Sequence, residues 1–207
     1  MRDFHLPGRS PVLATNAMCA TSHPLAAQAA LDILKRGGNA MDAAIAGAVL
    51  LGLCEPQMTG IGGDCFVLWT APGGDVVQAF NGSGRAPAGI SAQTLRDRGL
   101  DTVPLYSAEA VTIPGAIDAF CTLSETQGRL GLDAVLAPAI HYAEAGVPVA
   151  PRVAQDWISD ASVLQGHGRR YFLLDGAVPK TGQLFRAPGQ ADVLRRIAAN
   201  GRDAFYT

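Results

Sequence analysis

A chain of 207 residues, 48% hydrophobic and 16% charged, can bury one good core and is not a disordered polymer. Its formal net charge of −2 gives no electrostatic attraction to nucleic acid or to an anionic membrane, so neither is expected as a partner. Residues 1–17 lack the apolar run of a signal peptide, and the most apolar segment, residues 40–53, is too short to span a bilayer and carries Asp42, so the expectation is a soluble, cytoplasmic protein.

Residues 12–20, "VLATNAMCA", predict a first strand. A helix follows. Pro24 suits its first position, Ser22 or His23 can cap it, and Gly37-Gly38 ends it. Leu25, Ala29, Leu31 and Leu34 supply apolar positions near helical spacing. Asn39 can cap a second helix, with Asp42 favoured in its first turn by the helix dipole. "AMDAAIAGAVLLGL" is apolar on every face, so that helix belongs between layers. "GIGGDCFVLWT" and "GDVVQAF", joined by the turn signal "APGG", predict a hairpin running up to Asn81 and packing on this apolar helix. Beyond Pro87 the pattern turns helical, over residues 92–98, 115–127, 132–145, 150–161 and 191–200. Residues 12–87 thus hold core helices and a hairpin, residues 88–207 are mainly helical, and the whole of 1–207 is expected to form a single layered domain.

The four cysteines, Cys19, Cys54, Cys65 and Cys121, are scattered and make neither a zinc motif nor a disulfide framework; buried reduced thiols are expected. The histidines, His5, His23, His141 and His167, show no metal-ligand spacing, and His141 has Glu144 at i+3 as a surface helix pair. "TGIGGD" (59–64) lacks the Lys-Ser/Thr of a phosphate loop and the third glycine of a dinucleotide fingerprint, and it runs into a strand. Its glycines are expected to allow close backbone approach. "GSG" (82–84) is not a nucleophile elbow. The residue that stands out is Arg85 in "NGSGRAP", whose planar fork suits a carboxylate. Were residues 83–85 extended, Ser83 and Arg85 would share a face, with Asn81 joining them if the strand continued. Asn81, Ser83 and Arg85 are therefore the candidate substrate-binding residues. The alternative is that Gly82 and Gly84 bend the chain and Arg85 points to solvent or to a structural carboxylate.

Several longer stretches are similar to the γ-glutamyltranspeptidases and their relatives. "ATSHPLAAQAALDILKRGGNAMDAAIAGAVLLGLCEPQMTGIGGDCF" resembles the N-terminal part of the family's large subunit. "TIPGAIDAF", "APAIHYAEAGVPV" and "VLRRIAANGRDAFYT" follow in the family's order. The resemblance covers residues 12–207 and implies a portion of an α+β N-terminal-nucleophile hydrolase, an αββα sandwich. It also implies a precursor that cuts itself into a large and a small subunit, the small subunit being a partner from the same precursor. The new N-terminal threonine would attack a γ-glutamyl amide such as that of glutathione, with its own α-amine as the base. No cofactor and no metal are implied. No "TTH"-type junction occurs in the sequence, so no catalytic residue is expected within this chain, which would be a fragment or truncated product, inactive alone and able to form homo-oligomers.

The family motif Tyr-Arg-Glu-x-Ala-Pro, whose arginine grips the donor's α-carboxylate, is altered. Alignment on Ala86-Pro87 puts Ser83 at the arginine's place and Gly84 at the glutamate's, with Arg85 two residues later. This departure brings the sequence nearer the γ-glutamyltranspeptidase-like members, which include cephalosporin-acylase-like proteins. The resemblance thus leaves an acylase-like amidase of altered acyl specificity, or a non-catalytic scaffold, as alternatives to the γ-glutamyl enzyme.

Overall fold

The computed structural model describes residues 11–207. Helix α1 spans Pro24–Lys35 and α2 spans Ala40–Cys54. His23 caps α1, its Nδ1 accepting the Leu25 N–H at 3.3 Å. Gly37, at φ 92°, ends the helix, and the Gly38 N–H returns to the Ile33 carbonyl. The buried stripe of α1 is Ala26, Ala29, Ala30 and Ile33. Leu25, Leu31 and Leu34 are only half-buried, so small side chains face α2 and the two axes can approach closely.

Asn39 and Asp42 form a reciprocal capping box at the start of α2. Asp42 is fully buried, and its carboxylate also accepts the backbone N–H groups of Arg129 and Leu130. The connection between α4 (Ala116–Gln127) and α5 (Leu132–Ala145) is thereby pinned to the start of α2. Helix α2 is buried on nearly every turn, as its uniform apolarity predicts, and packs against α1, α4 and α5.

Strands β1 (Cys65–Thr70) and β2 (Val77–Gly82) form the expected antiparallel hairpin, with Cys65 opposite Gly82 and Thr70 opposite Val77. Cys65, Val67, Trp69 and Phe80 turn toward the core. The hairpin lies against α4 more than against α2, which corrects its expected seat. Gly82 explains why: a Cβ there would come within 2.6 Å of the Ala119 methyl of α4.

Short α3 (Ala92–Asp97) follows. After α5, β3 (Val147–Pro148) pairs with β4 (Leu184–Phe185), the two enclosing α6 (Pro151–Asp160) and α7 (His167–Phe172) in sequence. A small second core gathers Val149, Val153, Trp157 and Phe185, with the Trp157 and Phe185 rings edge to face at 5.0 Å. Helix α8 (Pro188–Asn200) packs on α5, and α9 (Asp203–Tyr206) folds back beside it.

Two other expectations are corrected. Residues 12–20 form no strand, because a strand needs a neighbouring strand for its N–H and C=O groups and no described strand pairs with them. Glu144 pairs with Arg195 of α8 instead of with His141, whose ring meets the edge of Tyr142. His5 lies outside the described residues. Cys54 and Cys121 are buried thiols, pushed by burial to about 12 and about 11, respectively.

Candidate functional site

The three sequence-predicted residues come together where β2 ends. Asn81 sits opposite Phe66 on the outer face of the hairpin. The strand stops at Gly82, so it does not carry Arg85 onto an alternating face as extension would require. Asn81 causes the stop: its Oδ1 accepts the Ser83 N–H at 2.9 Å and turns the chain. Ser83 and Arg85 are both exposed beyond this turn. Among the described residues, Arg85 makes no ion pair and no side-chain hydrogen bond.

The backbone beneath these side chains is held on two sides. On one side the Gly84 N–H donates to Asp64 Oδ1 at 3.2 Å. On the other the Ile113 N–H donates to the Arg85 carbonyl at 2.9 Å. The approach is so close that only glycines fit. A Cβ on Gly84 would lie 1.6 Å from the Ile113 carbonyl oxygen, and one on Gly115 would lie 2.2 Å from that of Gly82. The glycines of "NGSGRAP" therefore press the loop onto residues 112–115, and Arg85 projects from a fixed base.

The "TGIGGD" segment supports the same place from below. Gly60 lies against α2, where a Cβ on Gly52 would be 3.2 Å from its Cα. The Gly63 carbonyl accepts the N–H groups of Gly115 and Ala116, at 3.1 and 2.9 Å, and so caps α4, which has no side-chain cap. The close approach here depends on Gly52 of α2, not on the glycines of the segment as expected: a Cβ on Gly60 or Gly62 would meet nothing within 4 Å, and one on Gly63 nothing nearer than 3.6 Å.

The sequence reading missed three contributors. Asp64 is a loop anchor. Gly115 is the counterpart of Gly82 and Gly84. Tyr206, in the "DAFY" motif, donates its hydroxyl to the Pro114 carbonyl at 2.6 Å and accepts the Asp118 N–H at 3.1 Å. Burial pushes the Tyr206 phenol above its usual range, so it is a neutral donor here. The motif was the available signal for Tyr206; the residue it would touch was not visible from spacing.

A model of the γ-glutamyltranspeptidase family matches residues 26–207. The chain belongs to the γ-glutamyltranspeptidase family. It is 36% identical to a glutathione hydrolase-like proenzyme of Bacillus subtilis, over 94% of this chain and 37% of that protein. It is 35% identical to an oxamate amidohydrolase proenzyme of Klebsiella pneumoniae, over 94% of this chain and 38% of that one. The crystal structure of a cephalosporin acylase from Bacillus halodurans superposes with a TM-score of 0.89 at 42% identity, over 99% of this chain and 40% of the acylase. The expected fold class is thus met: the chain matches part of an N-terminal-nucleophile hydrolase. It spans less than two fifths of the length of these two proenzymes. Among the described residues of this γ-glutamyltranspeptidase-family chain, no cluster of three or more metal-ligating side chains forms.

Proposed function

We propose that this chain is the N-terminal portion of the large subunit of a γ-glutamyltransferase-like hydrolase, and that Arg85, with Asn81 and Ser83, receives the carboxylate of the acyl donor. The observation that carries this reading is the exposed Arg85, free of partners among the described residues, on a clamped loop two residues beyond Ser83, which the resemblance aligns with the family's substrate arginine. The family match over residues 26–207 supports the reaction class. In that reaction an N-terminal threonine, outside this chain, attacks the amide carbonyl carbon. Its hydroxyl proton passes through the threonine α-amine to the leaving nitrogen as the C–N bond breaks. Water or an amine then attacks the resulting ester, releasing the acyl group and restoring the hydroxyl.

A second reading has its own support. Gly84 occupies the place of the family's glutamate, and no larger residue fits 1.6 Å from a carbonyl oxygen. The usual Tyr-Arg-Glu arrangement cannot be seated on this backbone. That favours an amidase with an acyl group other than γ-glutamyl, a reading in keeping with the oxamate amidohydrolase among the relatives, whereas the glutathione hydrolase-like relative is in keeping with the first.

The test is Arg85→Ala in the full-length protein, assayed on γ-glutamyl and glutaryl anilides and on a neutral acyl anilide. Loss of a charged hydrogen bond should cost about 1.5–3 kcal/mol, roughly a 10- to 150-fold rise in KM for the anionic donors. The neutral donor should be little affected. Equal effects on all three, or none, would reject the carboxylate role. The ratio of the two anionic donors in the unmodified enzyme separates the first reading from the second.

A further inference from the structure

We infer that Tyr206 is a positioning residue for the Asn81–Arg85 loop, acting through residues 112–115. The inference rests on the carboxylate role proposed for Arg85 and adds the element that holds the arginine in place. The contacts form one chain. The Tyr206 hydroxyl donates to the Pro114 carbonyl and accepts the Asp118 N–H, so it bridges the turn to the first turn of α4. Next to Pro114, the Ile113 N–H holds the Arg85 carbonyl, and Gly115 stacks on Gly82 and Gly84.

Tyr206 is itself anchored. Arg202, at the start of α9, donates to Thr122 at 3.1 Å and to Glu125 at 2.9 Å, and pairs with Asp118. Helix α9 is thereby fixed along α4, and its tyrosine reaches the residues before that helix. Residues 112–115 are irregular backbone, and an irregular segment keeps one geometry only through such specific partners. Without the hydroxyl the Pro114 carbonyl loses its donor, the turn loosens, and the base of Arg85 moves with it. Positioning errors of about 1 Å are enough to weaken recognition by a two-pronged donor.

The test uses the full-length protein and the conservative variant Tyr206→Phe, which keeps the ring and removes the hydroxyl. Hydrogen–deuterium exchange should quicken in peptides covering residues 81–86 and 110–113 and stay unchanged in α2. KM for the anionic anilide should rise about threefold to tenfold, the range for one neutral hydrogen bond, with kcat little changed. A merely structural tyrosine would lower active enzyme and kcat without that split. Unchanged exchange in both peptides overturns the inference whatever Arg85→Ala does. Faster exchange with an unchanged KM, in an enzyme where Arg85→Ala raises it, also overturns it. If Arg85→Ala leaves KM untouched, the carboxylate reading fails, and exchange alone decides whether Tyr206 holds the loop.

Discussion

Asp42 shows how much one side chain can organise. Its carboxylate is fully buried, yet its partners are backbone N–H groups: Asn39 at 2.9 Å, Arg129 at 2.9 Å and Leu130 at 3.2 Å. Burying a charge this way is tolerable because each oxygen is met by donors. Gly128 is part of the arrangement, since a Cβ there would lie 2.7 Å from Asp42 Oδ1. Asp42→Ala strands these donors at a helix start and at the α4–α5 connection. It should lower stability by at least about 3 kcal/mol. Asp42→Asn keeps a carbonyl oxygen but loses the charge, and should show about half that loss, as charge-assisted bonds are about twice as strong as neutral ones. Chemical denaturation of both variants beside the parent checks the order; an alanine variant as stable as the asparagine one would contradict it.

Helix α1 depends on a cap that titrates. His23 accepts the Leu25 N–H through Nδ1, so its proton sits on Nε2, a buried atom without a partner among the described residues. Burial lowers its pKa below the ordinary 6.5, with Glu55 opposing more weakly. The unfolded chain therefore takes up the proton first. Stability should be unaffected well above pH 6.5, fall as the pH drops through 6.5, and level off once the lower folded-state value is passed, with a slope of at most about 1.4 kcal/mol per pH unit. His23→Asn keeps a capping oxygen and does not titrate. Melting temperatures from pH 8 to pH 5 should diverge, the parent losing more; parallel profiles would rule out His23 as the cause. That cap was legible in the sequence because Pro24, Gly37 and Gly38 punctuate α1 so clearly. The hairpin was legible too, from alternation around "APGG". The β3–β4 pair was not, because two-residue strands carry no alternation, nor was α7, which is six residues long. The expected strand at 12–20 had β-forming residues but no described neighbour to bond. In the candidate site, the glycines of "NGSGR" signalled a bend, whereas their close approach to residues 112–115 is a tertiary contact that local pattern does not encode.

On the scale of the whole molecule, the hairpin is covered on one face only. Phe66, Leu68 and Val77 lie on the other face, at 68%, 74% and 62% exposure. Neither edge of the two-stranded sheet pairs with another strand among the described residues. A further apolar cleft of about 490 Å³ opens between Ile61, Tyr171, Phe185, Val193 and Phe205. Apolar side chains aligned on an unpaired sheet invite association, face to face or edge to edge. The 207-residue chain produced by itself should therefore self-associate, with a weight-average mass that climbs with concentration in light scattering. It should neither fragment with time on a denaturing gel nor turn over a γ-glutamyl anilide, because the proposed nucleophile lies outside it. Phe66→Lys combined with Leu68→Lys should shift the chain toward monomer. Both side chains are already in water, so the double variant should unfold at nearly the parent's denaturant midpoint, within the small range usual for surface changes, about 0.5 kcal/mol each. A parent chain that stays strictly monomeric at high concentration would show that this face is not sticky. Association that survives the two lysines would place the contact elsewhere, with the open cleft beside α8 as the next surface to charge.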